Sequence, residues 1–213
     1  MDMQQEIELS TVPFGSEKNL LFVPGRAPMR LFTALDPPDT LRDALVPLQS
    51  ADALSVRWTA PAQFHVTLRF IGAVDVAQAH RFGAALRHVE GPVPRCVPYG
   101  LDALPSGPTP QAFRVLVVGL ERTPSLVALY EAVSSALEAE GLSPDRRAYH
   151  PHITLGRLEA PSPEAVHAYL RNHQQRSLPA VRSERMVLYK STTTPDGALY
   201  TPQATYPLVD TLE

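Results

Sequence analysis

Two short stretches of this chain alternate polar and apolar residues with the period of a half-buried strand, and both begin with the same pattern of four residues. In Phe64-His65-Val66-Thr67-Leu68-Arg69-Phe70-Ile71, strict alternation puts His65, Thr67 and Arg69 on one side and Val66, Leu68 and Phe70 on the other. In His152-Ile153-Thr154-Leu155-Gly156, it puts His152, Thr154 and Gly156 against Ile153 and Leu155. Each strand therefore carries an imidazole and a hydroxyl on one face, about 7 Å apart along the chain. A single His-x-Thr carries almost no information. Two copies in the same strand phase, one in each half of the chain, carry a good deal.

Around these stretches the pattern predicts alternating strands and helices. Residues 29–35 form a strand, and Asp36-Pro37-Pro38-Asp39 breaks it and starts a helix of about ten residues with Asp39 as cap. Leu41, Leu45 and Leu48 mark that helix's buried face. A short strand at 55–58 precedes the first repeat strand at 64–71, which Gly72 ends, and a helix follows from Val76 to about Val89. Residues 93–104 are extended but interrupted by proline, as in an edge strand, and 105–110 form a loop. Next come a strand at 113–118, a helix from Ser125 to about Glu140, the second repeat strand at 149–158 and a helix at 163–173. Strands at about 183–191 and 198–206 flank a turn at Thr194-Pro195-Asp196-Gly197. Several connections are too short for parallel crossovers, so the expectation is an α+β fold with antiparallel or mixed sheets, in two similar lobes that each contribute one histidine strand. Residues 1–28 lack a sustained period and read as an N-terminal extension, leaving 29–213 as the domain.

Composition narrows the chemistry. The 213 residues can bury a sizeable core, and the formal charge of −3 leaves no global basic footprint for long nucleic acid. An RNA substrate would be held at an end, by local arginines. Lys18 and Lys190 are the only lysines, and Cys96 is the only cysteine, which excludes an internal disulfide and a multi-cysteine metal site. The longest apolar run in the N-terminal stretch, Leu20–Val23, is too short for a signal core or a membrane span, so the expected compartment is the cytoplasm.

If the lobes face one another, His65 and His152 oppose each other across a cleft with Thr67 and Thr154 beside them. Two imidazoles suit a step that needs one base and one acid near neutral pH. Each threonine can donate its O–H to a phosphate oxygen while its neighbour handles a proton.

The residues that carry this pattern resemble a known family. Met29-Arg30-Leu31-Phe32, Trp58 ahead of His65-Val66-Thr67-Leu68-Arg69-Phe70-Ile71-Gly72, and Tyr149-His150-Pro151-His152-Ile153-Thr154-Leu155-Gly156-Arg157 are similar to the 2H phosphoesterases, and among them to the RNA 2′,3′-cyclic phosphodiesterases, also called 2′–5′ RNA ligases. Leu188–Ser191 and Tyr200–Pro202 fit the same pattern, so the resemblance runs from Met29 to about Leu208. It implies a bilobal, pseudo-two-fold fold with one sheet per lobe, helices on the outer faces and the active-site cleft between. It further implies opening of a terminal 2′,3′-cyclic phosphate to a 2′-phosphate with no metal and no cofactor, by a monomer acting on RNA ends or nucleoside 2′,3′-cyclic phosphates. In that scheme His65 is the proton donor, His152 the proton acceptor, and Thr67 and Thr154 bind the phosphate. The reverse reaction would be ligation without ATP.

Family members often carry an arginine just before the Pro-His of the second motif, where this chain has His150. Arg69, Arg114 and Arg157 are candidates to replace it, and Tyr149 or Phe64 to stack on a base. Competing readings stay open on the sequence alone. His150 and His152 could hold a metal, although no cysteine or carboxylate nearby completes the set. The cleft could bind nucleotide or RNA without turnover, or act on another small cyclic phosphate or a 2′–5′ linkage. Tyr149 and Phe64 could serve the core, and Arg146-Arg147 could be a solvated pair or contact the RNA backbone.

Overall fold

The computed structural model describes residues 28–50, 54–105, 113–173, 176–195 and 197–210. The expected N-terminal extension, but for Pro28, lies outside the described residues, as does nearly all of the loop at 105–110. The described residues form ten strands and four α-helices: β1 Met29–Leu35, α1 Asp39–Leu45, β2 Val56–Trp58, β3 Val66–Val74, α2 Val76–Leu86, β4 Arg95–Cys96, β5 Pro98–Pro105, β6 Phe113–Leu120, α3 Pro124–Ala139, β7 His152–Leu158, α4 Pro163–His173, β8 Val181–Arg182, β9 Arg185–Thr194 and β10 Gly197–Pro207. The alternation is the expected one, except that the segment at 93–104 is split into β4 and β5 and the short strand β8 is additional.

Local chemistry accounts for the helix starts. Asp75 caps α2 reciprocally, its side chain accepting from Gln78 N–H while the Gln78 side chain accepts from Asp75 N–H. Thr123 caps α3, with Pro124 at the first helical position. In α1 the cap is Pro38 rather than Asp39, which sits one residue inside as an acidic group in the first turn. The first helix continues through a 3-10 turn at Val46–Leu48, as its three leucines predict.

Eight strands join in one sheet of order β10-β9-β1-β3-β7-β6-β5, with β2 added beside β7, and every pairing is antiparallel. The sheet has a seam. β3 and β7 share a single paired position, Val66 with Ile153, whereas β1–β3 and β6–β7 pair over long registers. The seam divides the sheet into β10-β9-β1-β3 on one side and β2, β7, β6 and β5 on the other. Leu31, Leu35, Val66, Leu68, Leu116, Ile153 and Leu155 point into a core completed by the buried faces of α1, α2 and α3.

Two details of register decide what reaches the other face. In β1–β3, Thr33 pairs with Arg69 and Ala34 with Thr67, so Leu68 is an extra, bulged residue. In β6–β7, Leu116 pairs with Gly156 and Val117 with Thr154, so Leu155 is the extra residue. Each bulge thus falls on the leucine that closes the repeated motif. A bulge shifts the strand phase by one residue. The Leu155 carbonyl, freed from the ladder, accepts from Thr59 N–H at 2.8 Å and from Gln49 Nε2 at 3.0 Å.

Candidate active site

The cleft lies on the sheet face opposite the core and has a volume of about 1090 Å³. His65, Thr67, His152 and Thr154 all line it. Their assembly follows from the seam. Continuing the register from Val66 and Ile153 sets His65 opposite Thr154 and Thr67 opposite His152. The histidines then occupy one diagonal of a four-residue patch, about 7–8 Å apart in regular sheet geometry. The threonines occupy the other.

Both imidazoles are oriented in the same way. His65 Nδ1 lies 2.8 Å from the Gln63 carbonyl and His152 Nδ1 lies 2.8 Å from the His150 carbonyl. A carbonyl only accepts, so each Nδ1 carries the hydrogen and each Nε2 keeps its lone pair. The Gln63 carbonyl is itself held, because Arg42 donates to the Pro61 carbonyl of the same 3-10 turn while pairing with Asp36. Thr67 and Thr154 line the cleft beside the imidazoles, where their hydroxyls can donate to a bound anion.

The surroundings of the two rings differ. His65 is packed among Phe32, Tyr200 and Tyr189, with ring centroids 5.1, 5.0 and 6.2 Å away. Its pKa is pushed down to about 4, first by burial, opposed by the hydrogen bond to Gln63, then by the charges of His152 and Arg42. His152 is lowered too, chiefly by burial and against the His150 carbonyl bond. At neutral pH both rings are neutral in the free protein. A phosphate anion between them favours protonation of either.

This sets a testable pH behaviour. The folded state binds the His65 proton less well than the unfolded chain, so the contribution to stability is complete above about 6.5 and is lost as the pH falls from 6.5 towards 4. The His65 ring resonances should titrate near pH 4 in the free protein and move upward when inorganic phosphate is added. A midpoint near the ordinary 6.5, indifferent to phosphate, would contradict this electrostatic picture.

The other sequence candidates separate cleanly. Arg157 lines the cleft. Arg69 does not, and its expected place beside His65 is corrected by the Leu68 bulge, which turns it to the core side. There it is 3% exposed and pairs with Glu138 at 3.2 Å and Asp145 at 3.3 Å, donating also to the Ser143 carbonyl at 2.6 Å. Arg114 is exposed on the face opposite Val115, which is the cleft-lining residue of that strand. Tyr149 stacks on Tyr130 with centroids 4.0 Å apart, and Phe64 is buried in the core. His150 is exposed, and no group of three histidines, cysteines or acids that could hold a metal occurs among the described residues.

The residues that pattern reading missed are Arg30, Arg57, Phe70 and Leu199, all in the cleft wall; Arg147, of the pair read as solvated or in contact with RNA backbone, lines the cleft as well. The charged residues of the described lining are Arg30, Arg57, Arg147 and Arg157, with no carboxylate among them. Only anions are complementary to such a wall.

An antiparallel α+β sheet with a central seam and paired His-x-Thr motifs defines a phosphoesterase of the two-histidine type. The LigT-like phosphoesterase family model matches residues 35–97 and 118–200, and the chain belongs to that family. It is 28% identical over 174 residues to an RNA 2′,3′-cyclic phosphodiesterase of Archaeoglobus fulgidus, covering 81% of this chain and 96% of the relative. To the RNA 2′,3′-cyclic phosphodiesterase of Aeropyrum pernix it is 31% identical over 138 residues, covering 64% and 77%. The fold matches the crystal structure of E. coli LigT complexed with 3′-AMP, with a TM-score of 0.62, 23% identity, and coverage of 86% and 99%. No helix among the described residues is long and apolar enough to cross a membrane.

Proposed function

We propose that this protein hydrolyses the terminal 2′,3′-cyclic phosphate of RNA, or of a nucleoside, to a 2′-phosphate by acid–base catalysis at His65 and His152. The observation that carries the proposal is the matched pair of imidazoles, each with Nδ1 tied to a backbone carbonyl two residues earlier and Nε2 left for the cleft.

In this reading the cyclic phosphodiester sits on the four-residue patch, where Thr67 and Thr154 donate to its non-bridging oxygens. His152, neutral in the free protein, accepts a proton from water through Nε2 as the water attacks phosphorus. His65 delivers a proton from Nε2 to the 3′ oxygen as its bond to phosphorus breaks. The substrate's negative charge offsets the burial that otherwise keeps His65 unprotonated, and a low intrinsic pKa makes the ring a strong donor once charged. With a 5′-hydroxyl attacking phosphorus in place of water, the same steps in the same direction join RNA ends through a 2′–5′ linkage, the 3′ oxygen leaving as a hydroxyl, without ATP. Both histidines belong to one chain, so a monomer suffices, and residues 29–213 serve as one bilobal domain with 1–28 as an extension.

The test is to incubate the purified protein with a short RNA ending in a 2′,3′-cyclic phosphate and identify the product isomer, with and without EDTA. The expected result is a 2′-phosphate at a rate the chelator does not change. A 3′-phosphate product would reverse the assignment of the leaving oxygen. Saturable binding without product would make the cleft a binding site alone, and chelator-sensitive turnover would defeat the metal-free mechanism.

A further inference from the structure

The catalytic patch is nearly symmetric, but the walls beyond it are not. Past the Leu68 bulge the next cleft residue of β3 is Phe70; past the Leu155 bulge the next cleft residue of β7 is Arg157. These are equivalent positions, five residues after each histidine. Phe70 is 59% exposed and shares its wall with Leu199 and Tyr200, an apolar surface suited to a base. Arg157 is the direct antiparallel partner of Arg57 on β2, and both line the cleft.

That arginine pair has a cost. Like charges directly opposite one another on a sheet repel, and no described residue supplies a carboxylate to either arginine. Arg42, Arg69, Arg182 and Arg185 elsewhere are all paired with acids. The chain holds 22 acidic residues against 19 basic ones, so a lining with paired arginines and no carboxylate among its described residues does not follow from composition. Arg30 and Arg147 also belong to the lining; the Arg147 guanidinium is paired with Asp145 through contacts of 3.0 Å from both Nε and Nη2, which sets Arg57 and Arg157 apart from it. Thr154 pairs with Val117 and Arg157 with Val115, so across the bulge they stand two partner residues apart, roughly 7 Å of strand, the scale of a nucleotide step rather than of one phosphate group.

We propose that Arg57 and Arg157 form a second phosphate subsite that grips the phosphodiester next to the reacting one, so that the site selects an RNA strand over a lone nucleoside cyclic phosphate. This rests on the hydrolytic reading above and names the substrate class within it. Arginine is the suitable residue, because its planar fork meets phosphate oxygens in pairs and stays charged at any working pH.

The experiment uses two probes that differ by one nucleotide and need no turnover: adenosine 3′-phosphate and the dinucleotide ApA bearing a 3′-phosphate. Their affinities for the full chain are measured by calorimetry over a range of salt, alongside turnover of the corresponding 2′,3′-cyclic forms. The wild type should bind the dinucleotide about 10-fold or more tightly than the mononucleotide. Arg57→Gln and Arg157→Gln should each remove most of that ratio. Each should also flatten the salt dependence of dinucleotide binding, by about 0.7 in log–log slope for every phosphate charge no longer neutralised. Arg157→Lys, which keeps the charge, should retain part of the ratio. Equal affinities in the wild type, or variants that weaken both probes alike, would overturn the subsite. A length preference in binding without turnover of either cyclic form would leave the subsite standing and remove the hydrolytic reading. Turnover with no length preference would do the reverse.

Discussion

Replacing His65 or His152 with glutamine lowers turnover of an RNA 2′,3′-cyclic phosphate by about 10²–10⁴, the usual worth of a positioned acid or base. Glutamine is the informative choice at position 65, since the ring is packed against Phe32 and Tyr200 and a smaller side chain would also open a cavity. A glutamine fills that space and reaches the cleft, but its amide neither releases nor takes up a proton at the working pH. The two losses should not multiply, because the residues serve one proton-transfer cycle, and the double variant should be only slightly worse than the worse single one. Steady-state kinetics with a thermal melt on each variant decides the matter. A folded single variant within about threefold of wild type would dismiss that histidine from the mechanism.

Arg69→Met is expected to give a large loss of stability among single changes of polar residues, about 2–4 kcal/mol. Removing one member of a buried ion pair costs about 3–5 kcal/mol when the remaining charge is stranded. Here Glu138 and Asp145 keep 33% and 23% of their side-chain surface exposed, so they recover some hydration and the cost falls below that range's upper end. The methionine keeps the volume but none of the hydrogen bonds, including the one to the Ser143 carbonyl. Because Asp145 also sets Arg147, the variant should weaken binding of nucleotide as well. Urea unfolding curves check the first effect; a loss under 1 kcal/mol would mean the cluster is replaceable by apolar contact.

The same arginine shows where the sequence stops being readable. Strand phase identified His65, Thr67, His152 and Thr154, because alternation holds from the histidine to the threonine in both motifs. One residue later it fails. Leu68 and Leu155 look like any buried leucine in an alternating run, and nothing in composition marks either as the bulged residue. Counting by twos from His65 arrives at Arg69, but the chain delivers Phe70. From His152 it arrives at Gly156, but the chain delivers Arg157. Gly156 instead meets β2 closely, where an added Cβ would lie 2.6 Å from Val56. The bulge register also corrects the end of β3, which runs on to Val74 beyond the expected stop at Gly72. Arg114 misleads in the same way: Leu104 pairs with Val115 and Pro105 with Phe113, so Arg114 is itself an extra, bulged residue, and it is exposed. Helix positions were legible from their apolar spacing, and the proline-broken segment at 93–104 does split into β4 and β5.

β2 occupies an unusual position in this architecture. Its hydrogen bonds attach it to β7, while its covalent continuation, after only seven residues, is β3 on the far side of the seam. Within those seven residues lie the turn at Pro61–Gln63 and the carbonyl that aims His65. Arg57 and the Gln63 carbonyl that aims His65 are thus six residues apart on one continuous segment that crosses the seam. A single short stretch of chain supplies both a charge of one wall and the acceptor that orients the imidazole of the other.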